Sequence, residues 1–171
     1  MNPKQAYIAL NLLPNIGPVR VHRLLDHFGD AKSILSAKAG DLREVKGIGK
    51  EVSECIANWR SLINLQDELE KIQSRGISII TPEDETYPSL LRKIYDPPIV
   101  LYTWGRLEKS DSVAISIVGS RQATYYGKQT AKKFGFQLAH AGLCVISGLA
   151  RGIDSAAHEG ALAAGGRTIA V

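Results

Sequence analysis

The alternation of short apolar runs with helical segments over residues 112–171 restricts the fold more than any other feature of this sequence. Three apolar runs, SVAISIVG (112–119), LCVISG (143–148) and RTIAV (167–171), are separated by two segments of helical length that each end in glycine. Strands that alternate with helices in this way form βαβ units with parallel strands and right-handed crossovers. The sequence therefore predicts a Rossmann-like α/β layer in this part of the chain.

The third of these strands runs to the last residue. Val171 lies inside the apolar stretch TIAV, with no turn or polar cap after it. A sheet edge as apolar as this one would promote aggregation if it stayed unpaired. We therefore expect the sheet to be truncated at this point, with the remainder supplied by a longer protein or by a partner chain.

The first 75 residues have a helical period and contain an internal repeat. LPNIGPVRVHRLL (13–25) and VKGIGKEVSECIA (45–57) both place Ile-Gly ahead of an amphipathic helix. This pattern resembles the helix-hairpin-helix motif, in which a glycine hairpin lets backbone N–H groups at a helix N-terminus face a DNA phosphate. The two hairpins supply a second candidate DNA contact, formed by Gly17, Arg20, Gly49 and Lys50.

The repeat also has a purely structural interpretation. Paired hairpins can pack two helices together or dock a partner, as in SAM-like helical modules, and the first hairpin has Asn15 where the motif has glycine. The sequence predicts a helical SAM-like/helix-hairpin-helix module over residues 1–75 and a Rossmann-like domain over residues 76–171. That domain would open with two further short strands, near ISII (77–80) and IVLYTWG (99–105).

Glycine and arginine follow two strands of the predicted sheet. Because the strands are parallel, the two loops emerge at the same edge, where open α/β sheets bind their ligands. Small residues allow close approach, backbone N–H groups and serine hydroxyls can donate, and two helix N-termini point toward the same space. Arginine adds charge and a planar fork that suits phosphate. The sequence thus predicts a phosphate site at six residues: Gly119, Ser120, Arg121, Ser147, Gly148 and Arg151.

Residues around these loops also have alternative interpretations. The glycines could be ordinary turn residues, and Arg121 could pair with Asp154. His158 lies four residues after Asp154 on the predicted helix, which favours a local pair over a catalytic dyad. Tyr125 and Tyr126 follow the arginine turn; they either stack on bases, as aromatic side chains do in single-strand binders, or cover the start of the helix. No catalytic residue is predicted.

The motifs of several enzyme classes are absent. The sequence has no GxGxxG after a strand, no GxxxxGK[ST], and neither the S-x-x-K nor the G-x-S-x-G nucleophile motif. Cys55 and Cys144 lie far apart in apolar patterns, which is typical of buried reduced thiols, and no Cys/His spacing suggests zinc. No run is long enough to span a membrane and no signal peptide is recognisable, so we expect a cytosolic protein. The formal net charge of +4 favours an anionic partner, and the missing motifs favour nucleic acid.

Three segments together resemble one known family. DPPIVLYTWG, IVGSRQATYYG and VISGLARGIDSAAHEGALAAGGRTIAV are similar in order and spacing to the DNA-processing protein A (DprA/Smf) family, over about residues 76–171. The helical first half resembles the module that often precedes this domain. The resemblance implies a protein that binds single-stranded DNA in the bacterial cytoplasm, protects incoming DNA during natural transformation and helps to load the RecA recombinase as a homodimer.

The resemblance also implies which residues form the site. Gly119, Ser120 and Arg121 would form the DNA-phosphate pocket, with Ser147 and Gly148 completing its wall, and no enzymatic activity, cofactor or metal is expected. Family members continue past the present residues with further strands, a basic residue that joins the pocket, and surfaces for dimerisation and for RecA. Two alternatives stay open: a Rossmann-type nucleotide-processing enzyme similar to phosphoribohydrolases, and a protein-interaction scaffold that uses the helical half.

Overall fold

Seven helices form most of the first part of the chain in the computed structural model, which describes all 171 residues. They are α1 (Pro3–Leu12), α2 (Pro18–Phe28), α3 (Ala31–Ser36), α4 (Ala39–Leu42), α5 (Lys50–Ala57), α6 (Trp59–Leu62) and α7 (Leu65–Ser74). Two strands follow, β1 (Ser78–Ile80) and β2 (Leu101–Thr103), with a 3₁₀ turn at Leu91–Lys93 between them. All these elements belong to the first of two compact units, residues 1–106.

Local sequence signals start and stop the first helices. Asn2 and Gln5 form a capping box at α1, in which each side chain accepts from the other residue's N–H at 2.9 Å. Gly29, with a φ of +86°, ends α2, because glycine adopts this left-handed region without steric cost. The side chain of Asp30 then caps α3. The chain is thereby divided into short helices that share one apolar core.

The two strands of the first unit form their own antiparallel sheet, in which Ile79 pairs with Tyr102. The segment leading into β2 buries Ile99 and Val100 in the same apolar core as the helices. For this reason the compact unit extends to Arg106, whereas the sequence predicted a domain boundary between residues 75 and 76. The change from helical to strand-like spacing of apolar residues after α7 shows where the strands begin. Which core these strands join depends instead on where their apolar side chains are buried.

The second unit, residues 107–171, contains the predicted parallel sheet. Its elements are a 3₁₀ turn (Lys109–Ser112), β3 (Ala114–Ser116), α8 (Tyr125–His140), β4 (Cys144–Ser147), α9 (Ile153–Ala163) and β5 (Thr168–Ala170). The strand order is β3-β4-β5, and both neighbouring pairs are parallel. This arrangement confirms the Rossmann-like α/β layer predicted from the alternating pattern.

Small residues let α8 and α9 lie close together. A Cβ atom at Gly135 would collide with the carbonyl oxygen of Ala157, and one at Gly160 would collide with that of Lys132. Val145 on the central strand is buried beneath the helices. The close packing fixes where both helices begin, at the end of the sheet where β3 and β4 finish. None of the helices in the chain combines the length and the apolar character needed to cross a membrane.

Candidate phosphate-binding site

The candidate site lies where β3 and β4 end. Residues 117–124 lead from β3 to α8 and form the first glycine loop; residues 148–152 lead from β4 to α9 and form the second glycine loop. The loops are in contact, because Ile153 N–H donates to the carbonyl oxygen of Ser120 at 3.3 Å. Gly152 has a φ of +96°, and a Cβ atom there would collide with the same carbonyl. The structure thus brings the two predicted loops together at one edge of the sheet.

The side chain of Ile153, the first residue of α9, lies next to both the first glycine loop and the first turn of α8. A Cβ atom at Gly119 would lie 2.7 Å from Ile153 Cγ1, so a larger residue there would force the loop and α9 apart. A Cβ atom at Gly127, in the first turn of α8, would lie 3.4 Å from Ile153 Cδ1. The starts of α8 and α9 are therefore side by side, which places the positive ends of two helix dipoles next to the loops.

Several backbone N–H groups of these loops have no acceptor within the chain. They include those of Ser120, Arg121, Leu149, Ala150 and Arg151. The Ser120 hydroxyl oxygen accepts from Gln122 N–H at 3.1 Å, which folds the first loop into a tight turn and leaves the hydroxyl hydrogen available. Unpaired N–H groups on glycine-rich loops beside helix N-termini are the donors that phosphate oxygens accept from.

The two arginines of the loops carry positive charge that no acidic side chain neutralises. Arg121 and Arg151 are both exposed, and neither forms an ion pair or a side-chain hydrogen bond within the chain. The alternative pair of Arg121 with Asp154 is not formed, because Asp154 is buried and accepts from Gly119 N–H at 3.3 Å. Each guanidinium therefore keeps its planar fork available for a bidentate contact with phosphate.

Ser147 differs from the expectation, because its hydroxyl is already engaged. It donates to the carbonyl oxygen of Ile117 at 2.6 Å, and the residue is only 3 % exposed. The side chain joins the end of β4 to the end of β3 and does not present a donor to a ligand. The expectation of a second donating hydroxyl beside that of Ser120 therefore does not hold.

Asp154 connects the two loops, a role that sequence reasoning did not assign to it. Its Oδ1 accepts from Gly119 N–H, and its Oδ2 would lie 3.0 Å from a Cβ atom at Gly148. The carboxylate is in the first turn of α9, where the helix dipole stabilises negative charge. An acidic residue in the first turn of a helix that follows a glycine loop is the signal that could have identified it.

His158 is bonded to the sheet and not to Asp154. Its Nδ1 lies 2.6 Å from Thr168 Oγ1, and this hydroxyl donates to the carbonyl oxygen of Val145 at 2.7 Å. Since the hydroxyl hydrogen is used, Nδ1 donates, and Nε2 is buried without a hydrogen-bond partner. The expected pair of His158 with Asp154 is therefore absent. No three His, Cys, Asp or Glu side chains lie close enough together to hold a metal ion.

The repeated hairpins of the first unit share one backbone geometry. Asn15 and Gly47, at corresponding positions of the two repeats, have left-handed φ values of +61° and +89°. Asparagine enters this region more readily than other non-glycine residues, so Asn15 replaces glycine without loss of the hairpin. Gly17 and Gly49 then serve as the N-cap residues of α2 and α5.

The four candidate contact residues of the hairpins are exposed. A Cβ atom at Gly17 or Gly49 would meet nothing within 4 Å, and neither residue has a positive φ, so neither packing nor backbone conformation requires glycine there. The Arg20 guanidinium donates to the carbonyl oxygen of Asn15 at 2.6 Å and closes its own hairpin. Lys50 lies 3.9 Å from Glu54, one helical turn away. The hairpins therefore leave room for a close approach to their backbone.

Comparison with known proteins identifies the family. A family model described as DNA recombination-mediator protein A matches residues 78–171, which is more than half of the chain. The chain belongs to this family. A second model, a SAM-like helix-hairpin-helix tandem, matches residues 8–56 and confirms the repeat predicted in the helical half.

Known relatives match the chain closely but are much longer. It is 38 % identical to protein Smf of Synechocystis sp., over 99 % of this chain and 44 % of that protein. It is 40 % identical to DNA processing protein DprA of Bacillus subtilis, over 58 % of this chain and 34 % of that protein. The fold matches the X-ray structure of DNA processing protein A from Streptococcus pneumoniae with a TM-score of 0.78 and 26 % identity, over 98 % of this chain and 56 % of that one. The chain thus spans less than half the length of the Synechocystis and Bacillus subtilis proteins.

Proposed function

We propose that the protein binds single-stranded DNA, whose phosphates are held by the two glycine loops of the second unit. The observation that carries this proposal is the set of unpaired backbone N–H groups beside two exposed arginines that form no ion pair. Both kinds of donor suit phosphate, and contacts to phosphate position a strand without reading its sequence. Membership of a recombination-mediator family supports DNA as the source of these phosphates.

Each proposed contact residue has a distinct part. Gly119 and Gly148 have no side chains, so the DNA backbone can approach the N–H groups of the loops closely. Ser120 donates through its hydroxyl and its N–H, and Arg121 and Arg151 add charge from the two loops. Ser147 acts indirectly, by joining the strand ends through its bond to the Ile117 carbonyl.

The DNA-binding step would serve recombination. We propose that the protein protects incoming DNA in the bacterial cytoplasm, acts as a homodimer without catalysing a reaction, and helps RecA to assemble on the strand. The family description and the name DNA processing protein among its relatives support this role. If the protein helps RecA to assemble on DNA, it should shorten the lag before RecA begins DNA-dependent ATP hydrolysis. An unchanged lag would contradict this role.

The hairpins of the first unit are proposed as a second and weaker DNA contact. Their support is the open space at Gly17 and Gly49, together with the exposed and basic positions of Arg20 and Lys50. The absence of a side chain at these two N-cap positions leaves the neighbouring N–H groups open to a ligand.

Substitution of Arg121 tests the main site. We expect Arg121→Ala to weaken binding of single-stranded DNA about 10- to 150-fold, the effect of one charge-assisted contact of about 1.5–3 kcal/mol. The loss should be similar for oligonucleotides of different base composition, because the contact is to phosphate. Fluorescence anisotropy across a salt series should also show a shallower dependence on salt, by about 0.7 in the slope of log affinity against log salt.

The control is Arg75→Ala, which removes an exposed arginine of the first unit and should leave affinity unchanged. Duplex DNA and mononucleotides serve as competitors. Tight binding of mononucleotides without binding of single-stranded DNA would overturn the proposal and favour a nucleotide-processing enzyme. Equal effects of the Arg75 and Arg121 substitutions would remove Arg121 from the site.

A further inference from the structure

We propose that Tyr125 and Tyr126 form a stacking surface for unpaired bases of the strand whose phosphates occupy the glycine loops. This inference rests on the proposed function, because the loops must first hold the strand. The two tyrosines are the first residues of α8 and are 80 % and 78 % exposed. Neither side chain makes a hydrogen bond or a ring contact within the chain.

The start of α8 fixes both tyrosines beside the loops. Thr124, the last residue of the first glycine loop, caps the helix by accepting from Gly127 N–H at 3.1 Å. A Cβ atom at Gly127 would lie 3.4 Å from the side chain of Ile153, the first residue of α9. Tyr125 and Tyr126 are thus held at the same end of the sheet as the unpaired N–H groups.

An unpaired base is the partner that suits exposed aromatic rings beside a phosphate site. Every base has a π-face, so stacking on tyrosine tolerates any sequence, as phosphate contacts do. In a duplex both faces of a base are already stacked on its neighbours, so the tyrosines would add affinity for single strands only. Lys128, in the same first turns of α8, is exposed and forms no ion pair, which adds positive charge along the path of the strand.

The second glycine loop presents an apolar side chain at the same edge. Leu149 is 64 % exposed and has a φ of +54°, a conformation that is unfavourable for a bulky residue. Residues with strained backbone conformations are often found at binding sites, where the surrounding structure stabilises them. An exposed leucine contributes nothing to the core of this unit, whereas it can contact a base of the bound strand.

Two oligonucleotides of equal length separate base contacts from phosphate contacts. One carries thymines, and the other has abasic sites in their place, so that the phosphates stay the same. The wild-type protein should prefer the thymine strand, and Tyr125→Ala/Tyr126→Ala should reduce its affinity for that strand roughly 5- to 150-fold, the range for one stacked base. Affinity for the abasic strand should not change. Tyr125→Phe/Tyr126→Phe keeps the rings and should keep the preference.

The matched control is Tyr95→Ala, which removes a tyrosine of the first unit that is 86 % exposed and should change neither affinity. Arg121→Ala should weaken both strands alike. A double alanine variant that retains the full preference for thymine would overturn the inference, as would a wild-type protein that binds both strands equally well. A wild-type protein that binds neither strand would instead show that the proposed function fails.

Discussion

Gly152 is the residue on which contact between the two glycine loops depends most directly. Its φ of +96° is strained for any other residue, and a Cβ atom there would collide with the Ser120 carbonyl. We expect Gly152→Ala to force the loops apart, to lower the free energy of unfolding by about 2–4 kcal/mol and to weaken binding of single-stranded DNA. Denaturant unfolding and DNA titration measure the two effects.

Gly142→Ala is the matched control for this change. Gly142 also has a positive φ, +87°, but a Cβ atom there would meet nothing within 4 Å. The control should therefore lose about 1–2 kcal/mol of stability from backbone strain alone and keep its DNA affinity. Equal losses of DNA affinity in the two variants would show that the loop junction has no specific role.

The residue types at the candidate site could be predicted from the sequence, but their partners could not. Glycine, serine and arginine follow apolar runs, and this local pattern is enough to place Arg121 in the loop after a strand. The Ser147 hydroxyl and the Asp154 carboxylate bond to the Ile117 carbonyl and the Gly119 N–H, which lie about 30 or more residues away in the chain. Such partners are set by the alignment of strands, which no local pattern records.

The hairpins provide a test at the scale of an element, because alanine can replace their glycines without a steric collision. Gly17 and Gly49 have ordinary φ values and open space around them. Because both glycines are helix N-caps, where alanine is disfavoured relative to glycine, we expect Gly17→Ala/Gly49→Ala to lower the free energy of unfolding by up to about 1 kcal/mol at each site. DNA affinity should fall about two- to tenfold, the range of one net hydrogen bond, because the methyl groups would hold a phosphate away from the N–H groups.

Gly40→Ala in α4 is the control for this pair. Gly40 is exposed, and a Cβ atom there would also meet nothing within 4 Å, so neither stability nor DNA affinity should fall. Undiminished DNA affinity in the double variant would assign the hairpins to helix packing alone. Anisotropy titrations of the three proteins under the same salt conditions make the comparison.

The elements themselves differ in how far the sequence determines them. The parallel layer of β3, β4 and β5 follows from a local alternation of strand and helix periods. The antiparallel sheet of β1 and β2 shows the same kind of apolar run, yet it packs with the helical unit because Ile99 and Val100 are buried there. Two apolar strands therefore look alike in sequence and join different cores, since the choice depends on surfaces remote from them in the chain.

At the scale of the whole second unit, an ionic cluster connects the turn before β3 to the start of β5. Arg167 donates to Asp111 Oδ2 at 2.8 Å and forms an ion pair with Glu108 at 2.9 Å. Hydrogen bonding from Arg167 lowers the pKa of the Asp111 carboxyl below its usual value. Burial, together with the charge of Asp111, raises the pKa of the neighbouring Cys144 thiol to about 11, which keeps it protonated at neutral pH.

The direction of the Asp111 shift predicts how stability depends on pH. Because the pKa is lower in the folded state, the carboxylate stabilises the fold above its unfolded pKa of about 4, and this contribution is lost as the pH falls through the folded value. Asp111→Asn should therefore lower the free energy of unfolding by about 1–2 kcal/mol at pH 7 and by less at pH 3. Asp67→Asn, which breaks an exposed pair with Lys71, should have a smaller effect at pH 7. Urea unfolding at both pH values measures these losses. If Asp111→Asn lowered the free energy of unfolding equally at pH 7 and pH 3, the charge of Asp111 would not stabilise the unit.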